Sequence, residues 1–294
     1  MKSGFVSIVG RPNVGKSTLL NSLLERKIAI TSDVSGTTRN IIEGIYNDSD
    51  SQIIFIDTPG IHKPQNKLGN YLNQKAYITI DSDLILFLID ADKGFGKGDQ
   101  FILEKIKEAK KDTFLLLNKV DRVEKDKLLP MINDLSKEYD FKEIIPISAL
   151  KGINVEDLIN TIKKYLKDDI KYYDDSVITN VSRNFLIGEF VREKILHLTH
   201  EEVPHTVNCY VEDYYDKGSS INIKVAIIVD RDNLKKIIIG KRGSLIKRIG
   251  IESRKDIEEF LGKKVYLETY VKTIENWRDR EKYLIEFGLT DELK

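Results

Sequence analysis

Eight consecutive residues, Gly10-Arg11-Pro12-Asn13-Val14-Gly15-Lys16-Ser17, constrain this chain more than any other feature. They match the spacing GxxxxGK[ST], which works only where a strand hands over to a helix: the glycines let the backbone turn, and its N–H groups then converge on phosphate at the positive helix end. The flanks meet that condition. The apolar run Phe5–Gly10 reads as a strand, and Lys16–Leu24 has helical spacing. Lys16 is placed to neutralise β- and γ-phosphates, Ser17 to ligate Mg²⁺, and Thr18 to line the same loop.

A phosphate loop of this kind needs a parallel sheet around it, and the next 150 residues supply one. Apolar runs at Ile53–Asp57, Leu84–Asp90, Thr113–Asn118 and Glu143–Ile147 alternate with helical patterns at Lys67–Ile80, Lys97–Glu108, Lys127–Glu138 and Val155–Leu166. Arg39–Tyr46 reads as one more strand entering from a long loop. The expected fold is an α/β P-loop domain, a mostly parallel sheet with helices on both faces, over residues 1–168.

Three further motifs fall at strand carboxyl ends, where open α/β sheets bind ligands. Asp57-Thr58-Pro59-Gly60 puts a carboxylate beside the cation and the N–H of Gly60 where it can sense the γ-phosphate. Asn118-Lys119-Val120-Asp121 selects the base: a carboxylate at Asp121 accepts from guanine N1–H and the 2-amino group, and adenine offers neither. Ser148-Ala149-Leu150 brings a backbone N–H towards guanine O6. In the long loop, Gly36-Thr37-Thr38-Arg39 offers a hydroxyl for Mg²⁺, with Thr38 the first choice and Thr37 the alternative. Lys16, Asn13, Thr38 and Gly60 are the candidate catalytic residues, and Ser17, Thr38 and Asp57 the candidate metal ligands.

The polar stretch 169–182 reads as a linker, and the rhythm then changes to α-β-β-α-α-β-α over residues 183–294, an α+β unit. A helix at Asn184–Leu198 leads to strands at Thr206–Asp213 and Ile221–Asp230, a helix–turn–helix, a strand at Lys264–Lys272 and a last helix from about Glu275. Although Lys+Arg and Asp+Glu balance at 47 each, residues 235–255 hold eight Lys or Arg against Glu252 alone. The neutral whole conceals an element suited to a polyanion. At its centre Gly240-Lys241-Arg242-Gly243 forms a GxxG turn that lets a nucleic-acid backbone approach the peptide, as in a type II KH domain. Ile239 would pack against a base, with Gly240, Lys241, Arg242, Gly243, Lys247 and Arg248 at phosphate. The rival reading has this half dock to a protein or to an anionic membrane surface.

Other residues are read more plainly. The single cysteine, Cys209, suits a reducing compartment and a buried strand position. His62, His197, His200 and His205 read as solvated or capping groups, and Trp277, Tyr266 and Tyr270 first as core of the small domain, with stacking on bases the alternative. With neither a signal-peptide pattern nor an apolar run long enough to span a bilayer, the sequence predicts a cytoplasmic protein that visits surfaces at most peripherally.

Together GRPNVGKS, GTTR, DTPG, NKVD and SAL resemble the translation-factor-related GTPases, and most closely the Era family; the resemblance continues through residues 183–287. It implies a GTPase that binds single-stranded 16S rRNA near its 3′ end and assists assembly of the 30S ribosomal subunit, as a monomer. It also implies K⁺ as a second cation beside Mg²⁺, since in several relatives an asparagine at the place of Asn13 helps to hold one; read by itself, Asn13 could equally serve only the local turn. Ile61 follows DTPG where Ras-like GTPases carry a water-orienting glutamine, so water must be positioned otherwise and turnover should be slow.

Overall fold

The computed structural model describes residues 1–60 and 67–289, and of residues 75, 77 and 78 the backbone only. Its contacts divide into two units, one holding residues 1–31, 38–60 and 72–180, the other 32–37, 67–71 and 181–289.

The first 165 residues run β1 (Lys2–Gly10), α1 (Lys16–Leu24), β2 (Ile42–Asn47), β3 (Ser51–Asp57), α2 (Lys67–Ile78), β4 (Leu84–Asp90), α3 (Lys97–Ala109), β5 (Thr113–Asn118), α4 (Lys125–Leu135), β6 (Glu143–Pro146) and α5 (Val155–Tyr165). The sheet order is β2-β3-β1-β4-β5-β6, with β2 antiparallel to β3 and the remaining pairs parallel. Every residue of β3, β4 and β5 is buried, as parallel strands covered on both faces must be. Val9, Phe87, Leu115 and Leu117 meet Ile102, Leu103 and Ile106 of α3 on one side. The strand period of two turns Leu86, Leu88 and Leu116 to the other. From β1 the chain goes to one side to build β3 and returns to the other to build β4, which opens a crevice at the carboxyl ends.

Differences from the sequence reading have local causes. The strand expected from Arg39 starts at Ile42, and α4 spans Lys125–Leu135 rather than Lys127–Glu138, after a short 3₁₀ turn at Val120–Arg122. The stretch read as linker is no free spacer up to Asn180. Ile45 N–H donates to Ile178 O at 3.0 Å, Tyr172 N–H to Gln52 Oε1 at 2.8 Å, and Tyr173 O–H to Glu43 at 2.6 Å.

The later elements are α6 (Arg183–Leu198), α7 (Val203–Thr206), β7 (Asn208–Asp216), β8 (Ser220–Val229), α8 (Asp232–Ile239), α9 (Ser244–Leu261), β9 (Lys264–Thr273) and α10 (Glu281–Glu286). Ser182 caps α6 by accepting from Phe185 N–H at 3.2 Å. Strand β7 runs antiparallel to β8, and β9 parallel to it, as the intervening α8–α9 crossover requires. Trp277 is fully buried, as expected, and its indole N–H donates to Thr206 O at 2.8 Å; the 3₁₀ turn around it delays the last helix to Glu281. Cys209 is buried on β7. Tyr266 corrects the sequence reading: it is 69% exposed, because the alternation along β9 sends it outward between inward-facing Val265 and Leu267. Tyr270 is half-buried and donates to Glu212 at 2.7 Å.

Candidate nucleotide site and nucleic-acid interface

Four loops meet at the carboxyl edge of β1, β3, β5 and β6, and side chains tie them together. The turn after β1 holds Gly15 at φ 102°, and a Cβ there would lie 2.3 Å from Asn118 Nδ2, so a side chain is excluded twice over. Gly10 and Val14 sit in the wall of the turn, Val14 with its side chain in the core. Lys16 is buried, and its Nζ donates to the carbonyls of Gly10 at 3.0 Å and Arg11 at 2.9 Å.

Ser17 Oγ donates to Asp57 Oδ2 at 2.6 Å and lies 2.9 Å from Thr38 Oγ1. Three candidate oxygen ligands from distant positions in the sequence are thus brought together. The Thr37 hydroxyl instead donates to Val34 O at 2.6 Å inside its own loop, which separates the two candidates: Thr38 is the one at the site. Asp57 is fully buried, and its other oxygen, Oδ1, has no hydrogen-bond partner among the described residues. Such an orphaned carboxylate oxygen beside two hydroxyls fits a hard divalent cation.

Burial shifts both charges. It pushes the Asp57 carboxyl up to about 6, against the opposing pull of Lys16 and the Ser17 hydrogen bond. It pulls the Lys16 ammonium down to about 8, against the attraction of Asp57.

The base loops are equally cross-braced. Asn118 Nδ2 donates to Val14 O at 2.7 Å while its Oδ1 accepts from Ala149 N–H at 3.0 Å, and Lys119 Nζ reaches Asn13 O at 2.8 Å. Asp121 is exposed, its carboxylate held by the Ser148 hydroxyl at 2.5 Å. Leu150 is 67% exposed beyond it. Thr58 Oγ1 donates to Ile8 O at 3.1 Å, and Gly60 lies against Pro12, where an added Cβ would come within 2.9 Å of the ring. Ile61 and His62 lie outside the described residues; His197, His200 and His205 are exposed.

Two acids that the sequence reading passed over support this site. Asp99 holds Arg11 Nε at 2.8 Å, and Asp90 holds Lys119 Nζ at 2.7 Å. The only advance signal for Asp90 was its place at the end of an apolar strand. Arg11 therefore serves the loop as a brace, since its side chain is turned to Asp99 and to Gly94 O at 3.2 Å.

In the later part of the chain, Gly240 (φ 71°) and Gly243 (φ 76°) bracket a turn between α8 and α9, and a Cβ at Gly240 would strike Leu245 at 2.8 Å. Lys241, Arg242, Lys247 and Arg248 are exposed, and Ile239 is half-buried. Arg248 Nε donates to Glu252 at 2.7 Å, so part of its charge is answered locally. Ile237, 49% exposed, stands beside the basic residues as an apolar surface that the reading of Ile239 overlooked.

A phosphate turn cross-braced to base-reading loops, followed by a β-β-α-GKRG-α-β module, defines a P-loop GTPase with a C-terminal KH domain. Residues 5–119 match the family model described as a 50S ribosome-binding GTPase, and residues 202–278 that of the KH domain. The chain is similar to an Aquifex aeolicus Era variant solved with GDP·AlF₄⁻, at 42% identity and a TM-score of 0.95, over 99% of this chain and 100% of that one. It is equally similar, at 42% identity and TM-score 0.95, to Era in complex with MgGDPNP and nucleotides 1506–1542 of 16S ribosomal RNA, over 99% of each chain. The chain belongs to the Era family of GTPases.

Proposed function

We propose that this GTPase binds single-stranded 16S rRNA near the 3′ end and assists assembly of the 30S subunit, its nucleotide state governing the association. The observation that carries the switch is the meeting of Ser17, Thr38 and Asp57, because Thr38 comes from a loop that a γ-phosphate and its cation can hold or release. These three would hold Mg²⁺, whose charge, when bound, offsets charge developing on the transferred phosphoryl group.

The chain's own residues do the rest. Backbone N–H groups of the phosphate loop between residues 10 and 18 cradle the phosphates, and Lys16 exchanges its two carbonyl partners for phosphate oxygens, whose negative charge opposes the downward pull of burial on its ammonium. The Gly60 N–H meets the γ-phosphate next to Asp57, Thr58 and Pro59. Asp121 reads guanine, Asn118 and Lys119 hold the base loops to the phosphate loop, and Ser148, Ala149 and Leu150 close over the base. Water attacks the γ-phosphorus in line, without a side-chain base.

K⁺ at the phosphates is carried by the family resemblance alone, because Asn13, at φ 64° in the loop, occupies a left-handed turn position that asparagine favours in its own right. The exposed basic turn at Gly240–Gly243, with Lys247, Arg248 and Ile239, supports RNA over the docking alternative, and the complex formed by the similar Era protein identifies the RNA class. We place the protein in the cytoplasm as a monomer, with peripheral membrane association secondary. Lys16→Ala should lower single-turnover GTP hydrolysis about 10³-fold while leaving binding of a 16S 3′-end oligonucleotide, measured without nucleotide, at the parental level. In the same assay, replacing KCl by NaCl should slow the parent; unaltered rates would remove K⁺ from the scheme.

A further inference from the structure

Asp90 ends β4, and the strand register sets it directly across from Asn118 at the end of β5. An acid in such a place is ordinarily solvated, yet Asp90 is 1% exposed. Its two oxygens face different partners. Oδ1 accepts from the N–H groups of Asp92 at 3.1 Å and Lys93 at 3.3 Å, so the carboxylate is fixed by the turn that follows its own strand. Oδ2 accepts from Lys119 Nζ at 2.7 Å. The Asp90 carbonyl takes Gly94 N–H at 2.9 Å, and Gly94 O in turn accepts from Arg11 Nη2 at 3.2 Å. The segment after β4 thereby touches both the base motif and the phosphate loop, although none of the nucleotide motifs includes it.

Lys119 needs such a partner. A lysine is a point charge on a flexible stem, and one beside a phosphate loop is drawn to any triphosphate bound there. Here the backbone of Lys119 is held at φ 68°, and its ammonium is caught between Asp90 Oδ2 and the Asn13 carbonyl, the second at 2.8 Å. With its charge answered by a buried carboxylate, the side chain spans from the base motif to the phosphate loop as a strut. Arg11 is likewise tied to Asp99, which leaves Lys16 as the loop's cation for the phosphates.

We infer that Asp90 is a positioning residue for nucleotide binding: it pins Lys119 against the Asn13 carbonyl and so holds the base loop and the phosphate loop at their working spacing before a nucleotide arrives. The inference rests on the assignment of the loop at residues 118–121 to guanine. Ordering completed in advance costs binding nothing further, and it serves diphosphate and triphosphate alike. Loss of Asp90 should therefore weaken both nucleotides equally and leave the chemical step alone, which is the signature of uniform binding.

The test uses the full chain with fluorescent GDP and GDPNP, together with single-turnover hydrolysis at saturating GTP. Asp90→Asn keeps the shape of the side chain and removes its charge. It should weaken both nucleotides about 3–10-fold, with the saturated single-turnover rate within about twofold of the parent. Because Asp90 acts through Lys119, adding Asp90→Asn to Lys119→Met should leave both affinities within about twofold of Lys119→Met alone. Thermal unfolding follows the fold of each variant; if Asp90→Asn melts early, the double variant, in which no buried charge has lost its partner, decides by its comparison with Lys119→Met. Losses that add, or that differ between GDP and GDPNP, overturn the inference. Asp121→Asn is the reference. If it weakens nucleotide and Asp90→Asn does not, the inference is overturned and the base-site assignment stands. If Asp121→Asn binds as the parent does, the assignment fails, and the inference with it.

Discussion

The nucleotide site and the GKRG turn are both glycine-hinged loops at the start of a helix, yet they are built in opposite ways. Around the phosphate loop, Arg11, Lys16, Asn118 and Lys119 spend their polar atoms on protein partners, and Ser17, Asp57 and Asn118 are buried or partly so. Around Gly240–Gly243 the cations face solvent, and Arg248 to Glu252 is an exposed pair of small energetic weight. A small ligand of fixed shape rewards a preorganised site, since ordering is complete before it binds. A flexible polyanion requires access and charge, and its counterions supply much of the driving force.

Breaking the first kind of site should cost most. Asp121→Asn removes a carboxylate acceptor for two guanine donors, and GTP affinity should fall about 10–10²-fold by equilibrium titration, with RNA binding in the absence of nucleotide retained. Gly240→Asp should weaken oligonucleotide binding about tenfold or more in a crosslinking titration, by side-chain clash and like charge, while GTP hydrolysis without RNA stays at the parental rate. Lys247→Ala should lower the magnitude of the salt slope of RNA binding by about 0.7, and Arg248→Ala by less, because Glu252 already answers part of that charge; equal slopes would erase the distinction.

The smallest effect is a pH dependence confined to the buried site. With its carboxyl raised to about 6, Asp57 makes the folded protein bind more protons than the unfolded chain between the ordinary carboxylate range and pH 6. Its contribution to stability therefore falls as pH rises through that window. Without nucleotide or Mg²⁺, the thermal midpoint of Asp57→Asn relative to the parent should rise by a few degrees from pH 4.5 to pH 7.

The same contrast explains what was legible in the sequence. Strands β4 and β5 fell at Leu84–Asp90 and Thr113–Asn118 as read, because fully buried parallel strands are continuous apolar runs bounded by the ligand loops. The GxxG turn was legible because positive φ at Gly240 and Gly243 favours glycine. Harder to see were the pairs Arg11 with Asp99 and Lys119 with Asp90, since acids on a helix or at a strand end are ordinarily solvated. Helix α7, of four residues, has no periodicity to read, and the delayed start of α10 depends on the long-range bond from Trp277 to Thr206. Tyr266 was misplaced because aromatic character suggested core where strand alternation decided otherwise.

Asn118 carries a consequence of its own. One amide group donates to Val14 in the phosphate loop and accepts from Ala149 in the base loop, at 2.7 and 3.0 Å. Guanosine and inorganic triphosphate, offered as separate fragments, would each meet a half-site already held at a fixed spacing from the other. A single covalent nucleotide should therefore bind more tightly than the two fragment affinities imply, because it fills both ends of one braced lever at once.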